Sequence, residues 1–180
     1  MESPPLNITL RPFALSDADD LLSWCDDRVL RTIRWSPLAS KDEALTFIKN
    51  VCIPHRWRRS ICISDRSIGF VSIFQESGED SFKAYIGYGL AAEYWNRGVA
   101  TQAVKLAVAQ VFKDIPDLVR LQAHVFVDNT ASQRVLEKAG FTKEGLLRKY
   151  EVIKGEIKDL LLYSFLSTDF LPAEKNSGLI

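Results

Sequence analysis

Residues 82–127 hold an apolar, glycine-interrupted strand pattern, then an unbroken helical one, then a second alternating strand. In the helical part Ala100, Ala103, Val104, Ala107, Val108 and Val111 recur at i, i+3, i+4, i+7, i+8 and i+11, and Pro116 stops the repeat. In the strand after it Val119, Leu121, Ala123, Val125 and Val127 share one face, and Arg120, Gln122, His124 and Phe126 share the other. A strand–helix–strand unit of this kind returns the second strand parallel to the first. The chain is thereby restricted to sheets with at least one parallel pair, and a ligand belongs at the carboxyl end of the first strand.

The rest of the chain builds an antiparallel sheet around that unit. Residues 8–13 predict a strand. Ser16 predicts a helix cap, with Asp17, Asp19 and Asp20 in the first turn and Ala18, Leu21, Leu22 and Cys25 on one face. Ser40 with Glu43 forms a capping box before Ala44, Phe47, Ile48 and Val51, and Pro54 ends that helix. Strands at 61–64 and 68–74 are joined by Asp65-Arg66-Ser67, and the 76–80 loop leads to a strand at 82–91. Asp128-Asn129-Thr130 caps a further helix that ends at Gly140, and strands at 146–153 and 157–166 turn at Lys154-Gly155-Glu156. The expected order is strand, two helices, three antiparallel strands, helix, strand, helix and two strands, in one mixed α/β sheet. Residues 1–7 and 172–180 are expected to be flexible termini.

Composition narrows the function. Lys plus Arg and Asp plus Glu number 23 each, so a dedicated nucleic-acid binder, which would be basic, is disfavoured. Three cysteines without CxxC spacing predict reduced thiols in a cytoplasmic protein. His55 and His124 lie far apart, so no metal site is expected. No apolar run approaches membrane-spanning length, and no signal or transit peptide is seen.

The segment Tyr94-Trp95-Asn96-Arg97-Gly98-Val99-Ala100-Thr101 lies between the first strand of the crossover and its helix. Free N–H groups at a helix start attract anions. Gly98 permits close approach, Ala100 leaves room, and Arg97 adds charge, so the segment predicts a pyrophosphate cradle. Gly87-Tyr88-Gly89-Leu90-Ala91-Ala92 matches a dinucleotide fingerprint, but its glycines lie inside a strand pattern and not at the turn that opens a helix.

Together with the element order, Trp95-Asn96-Arg97-Gly98-Val99-Ala100-Thr101 and the run from Asn129 through Ser132 and Val135-Leu136-Glu137-Lys138-Ala139-Gly140-Phe141 resemble the GNAT superfamily of N-acetyltransferases, in its RimJ/RimL-like branch. The resemblance covers residues 8–168. It implies a single GNAT-like domain with a mostly antiparallel sheet, a splayed parallel strand pair and flanking helices. It also implies acetyl-CoA as cosubstrate. Asn96, Arg97, Gly98, Val99, Ala100 and Thr101 would hold the pyrophosphate, and the strand edge at Leu90, Ala91 and Ala92 would bind the pantetheine amides. Asn129 and Ser132 would meet the far end of the pantetheine. Family members open the slot with a strand bulge, which Gly87 and Gly89 would suit.

Acyl transfer to an amine needs a base, an oxyanion donor and a group that attends the leaving thiolate. The resemblance gives these roles to His124, the Leu90 N–H and Ser132. The tyrosine that many members place near the sulfur is replaced here by Leu136. Each residue also has a plainer reading: His124 as a satisfied strand histidine, Asn129 as a cap, Ser132 as a first-turn residue, Asp26-Asp27 as a solvated helix end. Trp24, Trp35 and Trp57 are expected as core or groove lining. The expected reaction is acetylation of a primary amine, foremost a protein N-terminal α-amine. The alternatives are a small amine (polyamine or aminoglycoside) and a non-catalytic acyl-CoA-binding domain. No nucleic acid or membrane partner is expected, and the chain is expected as a monomer or homodimer.

Overall fold

The alternating segments become seven strands: β1 (Thr9–Arg11), β2 (Arg58–Ile63), β3 (Arg66–Gln75), β4 (Lys83–Leu90), β5 (Arg120–Phe126), β6 (Thr142–Ile153) and β7 (Glu156–Leu166). The computed structural model describes residues 6–170, so residues 1–5 of the terminus expected at 1–7, and all of that expected at 172–180, lie outside the described residues. One sheet runs in the order β1-β2-β3-β4-β5-β7-β6. Every neighbouring pair is antiparallel except β4 and β5, the parallel pair that the crossover requires.

One sheet face packs on α4 (Val99–Asp114) and α5 (Thr130–Lys138). The α4 stripe of Ala103, Val104, Ala107 and Val111 is wholly buried there. The other face is covered by α1 (Ala18–Trp24), α2 (Asp27–Leu30) and α3 (Lys41–Phe47). Trp24 and Trp57 are core residues, as expected, and Cys25, Cys52 and Cys62 are buried free thiols.

Several local expectations need correction. The first helical segment opens with a 3-10 turn at Leu15–Asp17, and Ser16 makes no cap bond. Asp17 is not a solvated first-turn acid: it is buried, pairs with Arg11 at 2.7 Å and accepts the Ala14 N–H at 2.9 Å. Asp26 does not end a helix. It accepts the N–H groups of Arg28 and Val29 and so starts α2, a third helical piece before β2. Ser40 caps α3 as predicted, but the Glu43 carboxylate accepts from the Ala39 N–H instead of completing the box at Ser40. After Phe47 the chain widens into a π segment, Ile48–Cys52, with the Ile53 N–H bonding the Ile48 carbonyl. The extra residue per turn rotates the face, so Cys52 is buried and Val51 is exposed.

Strand ends also move. β2 starts at Arg58, where buried Arg58 and Ser60 interrupt the apolar alternation that marks a strand. The β2–β3 turn is the residue pair Ser64-Asp65, both left-handed at φ 48 and 65, the geometry of a two-residue hairpin. β6 starts at Thr142 with a polar, exposed edge segment that carries no hydrophobic period.

Candidate active site

β4 and β5 pair only at Lys83↔Arg120, Ala84↔Leu121 and Tyr85↔Gln122. Beyond Tyr85, β4 stays in register with β3 as far as Gly69↔Leu90, and β5 stays in register with β7 as far as Phe126↔Leu160. Each strand follows its other neighbour, and a slot opens between them. The bulge expected in β4 is not present; the β3–β4 register is continuous.

The slot has a defined polarity. The Ala91 N–H donates to the Ile68 carbonyl at 2.8 Å. Antiparallel ladders alternate, so Gly89 also bonds toward β3, while the backbone groups of Tyr88 and Leu90 face the slot. The Leu90 carbonyl accepts the Trp95 indole N–H at 2.8 Å, which leaves the Leu90 N–H as a donor into the slot. Ala91 is placed differently from expectation. Its N–H serves β3 and its carbonyl accepts from the Tyr94 N–H at 3.0 Å, so both groups are used within the protein. Ala92 follows it, opening the 3-10 turn Ala92–Tyr94.

That turn delivers the chain to α4. Asn96 and Gly98 are left-handed, at φ 59 and 75. Gly98 is the N-cap, and the Gln102 N–H makes the first intrahelical bond to its carbonyl at 3.0 Å. The N–H groups of Val99, Ala100 and Thr101 therefore have no intrahelical acceptor. Arg97 is exposed, and its guanidinium lies 5.5 Å from the Tyr94 ring centre. Leu90, Trp95, Gly98, Ala100 and Thr101 on one side and α5 on the other enclose a cleft of about 490 Å³.

On the opposite sheet face lies a chamber of about 600 Å³. Thr32, Tyr88, Asn129 and Ser132 line both spaces and form the passage between them. Asn129 accepts the Ser132 N–H at 3.0 Å and so caps α5, while facing both cavities. The Ser132 hydroxyl lies 2.7 Å from the Tyr88 hydroxyl. Burial pushes the Tyr88 phenol well above the usual tyrosine range, so it holds its proton. Leu136 is in the core. Tyr88 thus supplies from β4 a phenol that α5 lacks.

His124 lines the chamber from β5, with its ring edge-on to Tyr85 at 5.0 Å and to Tyr150 at 5.1 Å. Burial lowers its pKa below 6.5, Arg34 lowers it further, and Glu151 opposes both. At neutral pH the imidazole is therefore free to accept a proton. The β6–β7 hairpin lies beside His124, irregular in register between Leu147 and Glu151 with Lys149 left-handed at φ 46, and it carries Tyr150. Arg34 pairs with Glu151, and the Lys154 ammonium donates to the Leu30 carbonyl.

Trp35 stacks on Phe70 at 4.1 Å in the chamber wall, with Phe47 edge-on to Trp35 at 4.8 Å. Arg58, only 5% exposed, donates from Nε to Ser72 Oγ at 2.7 Å. Its guanidinium lies 5.5 Å from the Trp35 centre and 5.7 Å from that of Phe74. Such cation–π contacts contribute about 0.5–2 kcal/mol each. Among the described residues no carboxylate pairs with Arg58.

Sequence reasoning missed Tyr88, Arg58 and the Arg34–Glu151 pair. Tyr88 was visible as the polar-tipped residue of Gly87-Tyr88-Gly89, but only the splay shows that its hydroxyl reaches α5. Arg58 carried no local signal, because its burial depends on strand pairing and on aromatic residues distant in sequence.

Residues 7–142 match the acetyltransferase (GNAT) domain. The chain belongs to the GNAT acetyltransferases. It is 32% identical to the uncharacterized N-acetyltransferase p20 of Bacillus licheniformis, over 91% of this chain and 94% of that one. Mycobacterium smegmatis RimJ, solved in complex with CoA-disulfide, superposes with a TM-score of 0.77 at 25% identity, over 92% of this chain and 84% of that one. The microcin C7 self-immunity acetyltransferase MccE, solved with acetyl-CoA and AMP, gives a TM-score of 0.76 at 26% identity, over 92% and 98%. The GNAT features of this chain suit acetyl-CoA: unpaired helix N–H groups face a long cleft, and a donor-bearing strand edge continues it to the passage. Among the described residues no group of three His, Cys, Asp or Glu side chains is placed to hold a metal, and no helix is long and apolar enough to cross a membrane.

Proposed function

We propose that this GNAT N-acetyltransferase binds acetyl-CoA in the α4–α5 cleft and acetylates a primary amine seated in the chamber. The carrying observation is that the cleft and the chamber join at Tyr88 and Ser132, beside the slot that the Leu90 N–H faces. The cosubstrate supplies a thioester, an activated acetyl group with a thiolate leaving group. The N–H groups of Val99, Ala100 and Thr101 hold its pyrophosphate, with Asn96, Arg97 and Gly98 shaping the approach. The Leu90 N–H and the strand edge toward Ala92 hold the pantetheine, and Asn129 and Ser132 border its sulfur end. Ala91 is left out of this set because its backbone groups are committed elsewhere.

The Leu90 N–H is a fixed donor for oxygen charge on the acyl group. His124, held neutral by its surroundings, takes the amine proton, directly or through water. Tyr88, protonated and bonded to Ser132, is the proton source for the thiolate, and Ser132 positions it.

The chamber bears on the acceptor. Its walls are aromatic, and its charged lining residues are Arg34 and Arg58, with no carboxylate among them. Polyamines and aminoglycosides are polycations and would need acidic walls, so the small-amine alternative is disfavoured in that form. The favoured acceptor is a single primary amine on a compact body, either a small molecule or the first residue of a protein N-terminus. Three free cysteines and use of acetyl-CoA support a cytoplasmic setting.

Calorimetry with acetyl-CoA and thiol-release assays over a panel of amines and peptides test the reading. Micromolar binding with amine-dependent thiol release is expected. Binding without release from any amine would leave a non-catalytic acyl-CoA-binding domain, and absence of binding would sink the cleft assignment.

A further inference from the structure

We propose that the acceptor carries an anionic group, a carboxylate or a phosphate, and that Arg58 receives it. The proposal rests on the acetyltransferase reading and specifies its substrate class.

Arg58 is a buried cation with an unusual set of neighbours. Its Nε is bonded to a neutral hydroxyl, Ser72 Oγ at 2.7 Å, and one Nη lies 3.9 Å from Cys52 Sγ, a weak acceptor. The rings of Trp35 and Phe74 flank its guanidinium, and no carboxylate among the described residues reaches it. Elsewhere the fold does supply partners: Arg11, which is less buried, has both Asp17 and Asp65. A guanidinium removed from water without an anion is costly, whereas one that meets an anion on binding gives a charge-assisted, geometrically specific contact. Arg58 lines the chamber and has no buried side-chain nitrogen without a partner, so its remaining donor capacity is open to the cavity.

The placement sets where the anion sits. Arg58 pairs with Ser72, and Ser72 pairs with Gly87 on the slot edge. Two strand spacings, roughly 10 Å, therefore separate the backbone of Arg58 from the slot. Gly87 has no side chain, and a Cβ there would meet nothing within 4 Å, so the space between is clear. An acceptor spanning it presents its amine at the passage near Tyr88 and His124, its flat or apolar body to Trp35 and Phe70, and its anion to Arg58.

The test uses three acceptors that share one aryl-ethylamine body: tyramine, O-phosphotyramine and 4-(2-aminoethyl)benzoate. With the wild-type chain and saturating acetyl-CoA, thiol release should give a kcat/KM at least tenfold higher for one or both anionic acceptors than for tyramine. The preferred member tells phosphate from carboxylate. Arg58→Gln should bring the anionic-to-neutral ratio within twofold of unity, and Arg58→Lys should give an intermediate ratio, while acetyl-CoA affinity by calorimetry is retained. A wild-type ratio near one, or a preference that survives Arg58→Gln, overturns the proposal. If Arg58→Gln does not fold, competitive inhibition of the wild type decides: 4-ethylbenzoate or 4-ethylphenyl phosphate should bind at least tenfold more tightly than 4-ethylphenol, and equal inhibition overturns the proposal. Turnover of peptides with none of the three aryl amines accepted also overturns it and leaves the acetyltransferase reading standing. Failure of acetyl-CoA to bind removes both.

Discussion

The hydroxyls of Tyr88 and Ser132 lie 2.7 Å apart across the passage between the α4–α5 cleft and the chamber. Burial makes the phenol hold its proton, and both the Ser132 hydroxyl and the Ser132 carbonyl, the latter accepting at 3.2 Å, anchor it. Tyr88→Phe should therefore lower kcat about 100-fold, the lower end of what a positioned general acid contributes. Ser132→Ala should cost about tenfold, because the phenol remains, held by the residue 132 carbonyl, but loses its hydroxyl partner. Steady-state kinetics with acetyl-CoA calorimetry alongside checks this. A larger loss in kcat from Ser132→Ala than from Tyr88→Phe would make serine the acid and tyrosine the support.

His124 gives a pH signature. Its folded pKa lies below 6.5, so kcat/KM should rise with pH through an inflection below 6.5 and then level off. Arg34 depresses that pKa and Glu151 raises it. Arg34→Met should move the inflection to higher pH, and Glu151→Gln should move it to lower pH. His124→Ala should abolish the acidic limb and lower turnover. A pH–rate profile unchanged in all three variants would return His124 to a structural role.

Gly98 and Gly89 are needed for different reasons. At Gly98 a side chain has room, but φ is 75, which a β-branched residue adopts only with strain. Gly98→Val should weaken acetyl-CoA at least tenfold in calorimetry by distorting the free N–H groups of α4, while Gly98→Asn, which tolerates that φ, should weaken it less. Equal affinities for both variants and the wild type would remove Gly98 from the cradle.

At Gly89 the backbone is extended, and a Cβ would lie 2.7 Å from Phe70 Cε1 and 3.0 Å from Ile33 Cγ2. Gly89→Ala should cost about 1–3 kcal/mol in denaturant unfolding and raise KM for the amine, because Phe70 carries Trp35 with it. Gly87→Ala, which meets nothing within 4 Å, should leave stability unchanged. Equal stability of the two variants would contradict the packing around Phe70.

A stability prediction lies outside the site. Arg120 bonds both Glu144 oxygens, at 2.8 and 2.6 Å, Ser164 donates to one of them, and the carboxyl pKa falls from 4.5 to about 2. A lowered carboxylate pKa stabilises the fold above 4.5, and that contribution is lost as pH falls from 4.5 toward 2. The group is a third exposed, so solvent screening limits its contribution to about 1 kcal/mol. Glu144→Gln should lose that much at pH 7 and show a flatter stability curve between pH 4.5 and 2.

Most of the fold was legible because the apolar periods of β3, α4 and β5 are long and unbroken, and the parallel pair follows from the crossover alone. Legibility failed where polar residues do structural work inward. Arg58 and Ser60 hide the start of β2, Asp17 is a buried ion-pair partner instead of a first-turn acid, and the π segment rotates Val51 out of its stripe. The turn into α4 and its free N–H groups could be read locally because their signal is contiguous in sequence. Tyr88–Ser132, the surroundings of Arg58 and the Arg34–Glu151 pair could not, because each joins residues whose nearness depends on tertiary register.

The three-pair contact between β4 and β5 makes the sheet two half-sheets joined at one end, like the arms of tweezers. One arm carries the Leu90 N–H and Tyr88, the other His124 and, through α5, Ser132. The donor and the base proposed above thus sit on different arms. The Tyr88–Ser132 bond spans the open end, so the contact assigned to proton transfer is also the clasp that sets the gape of the arms.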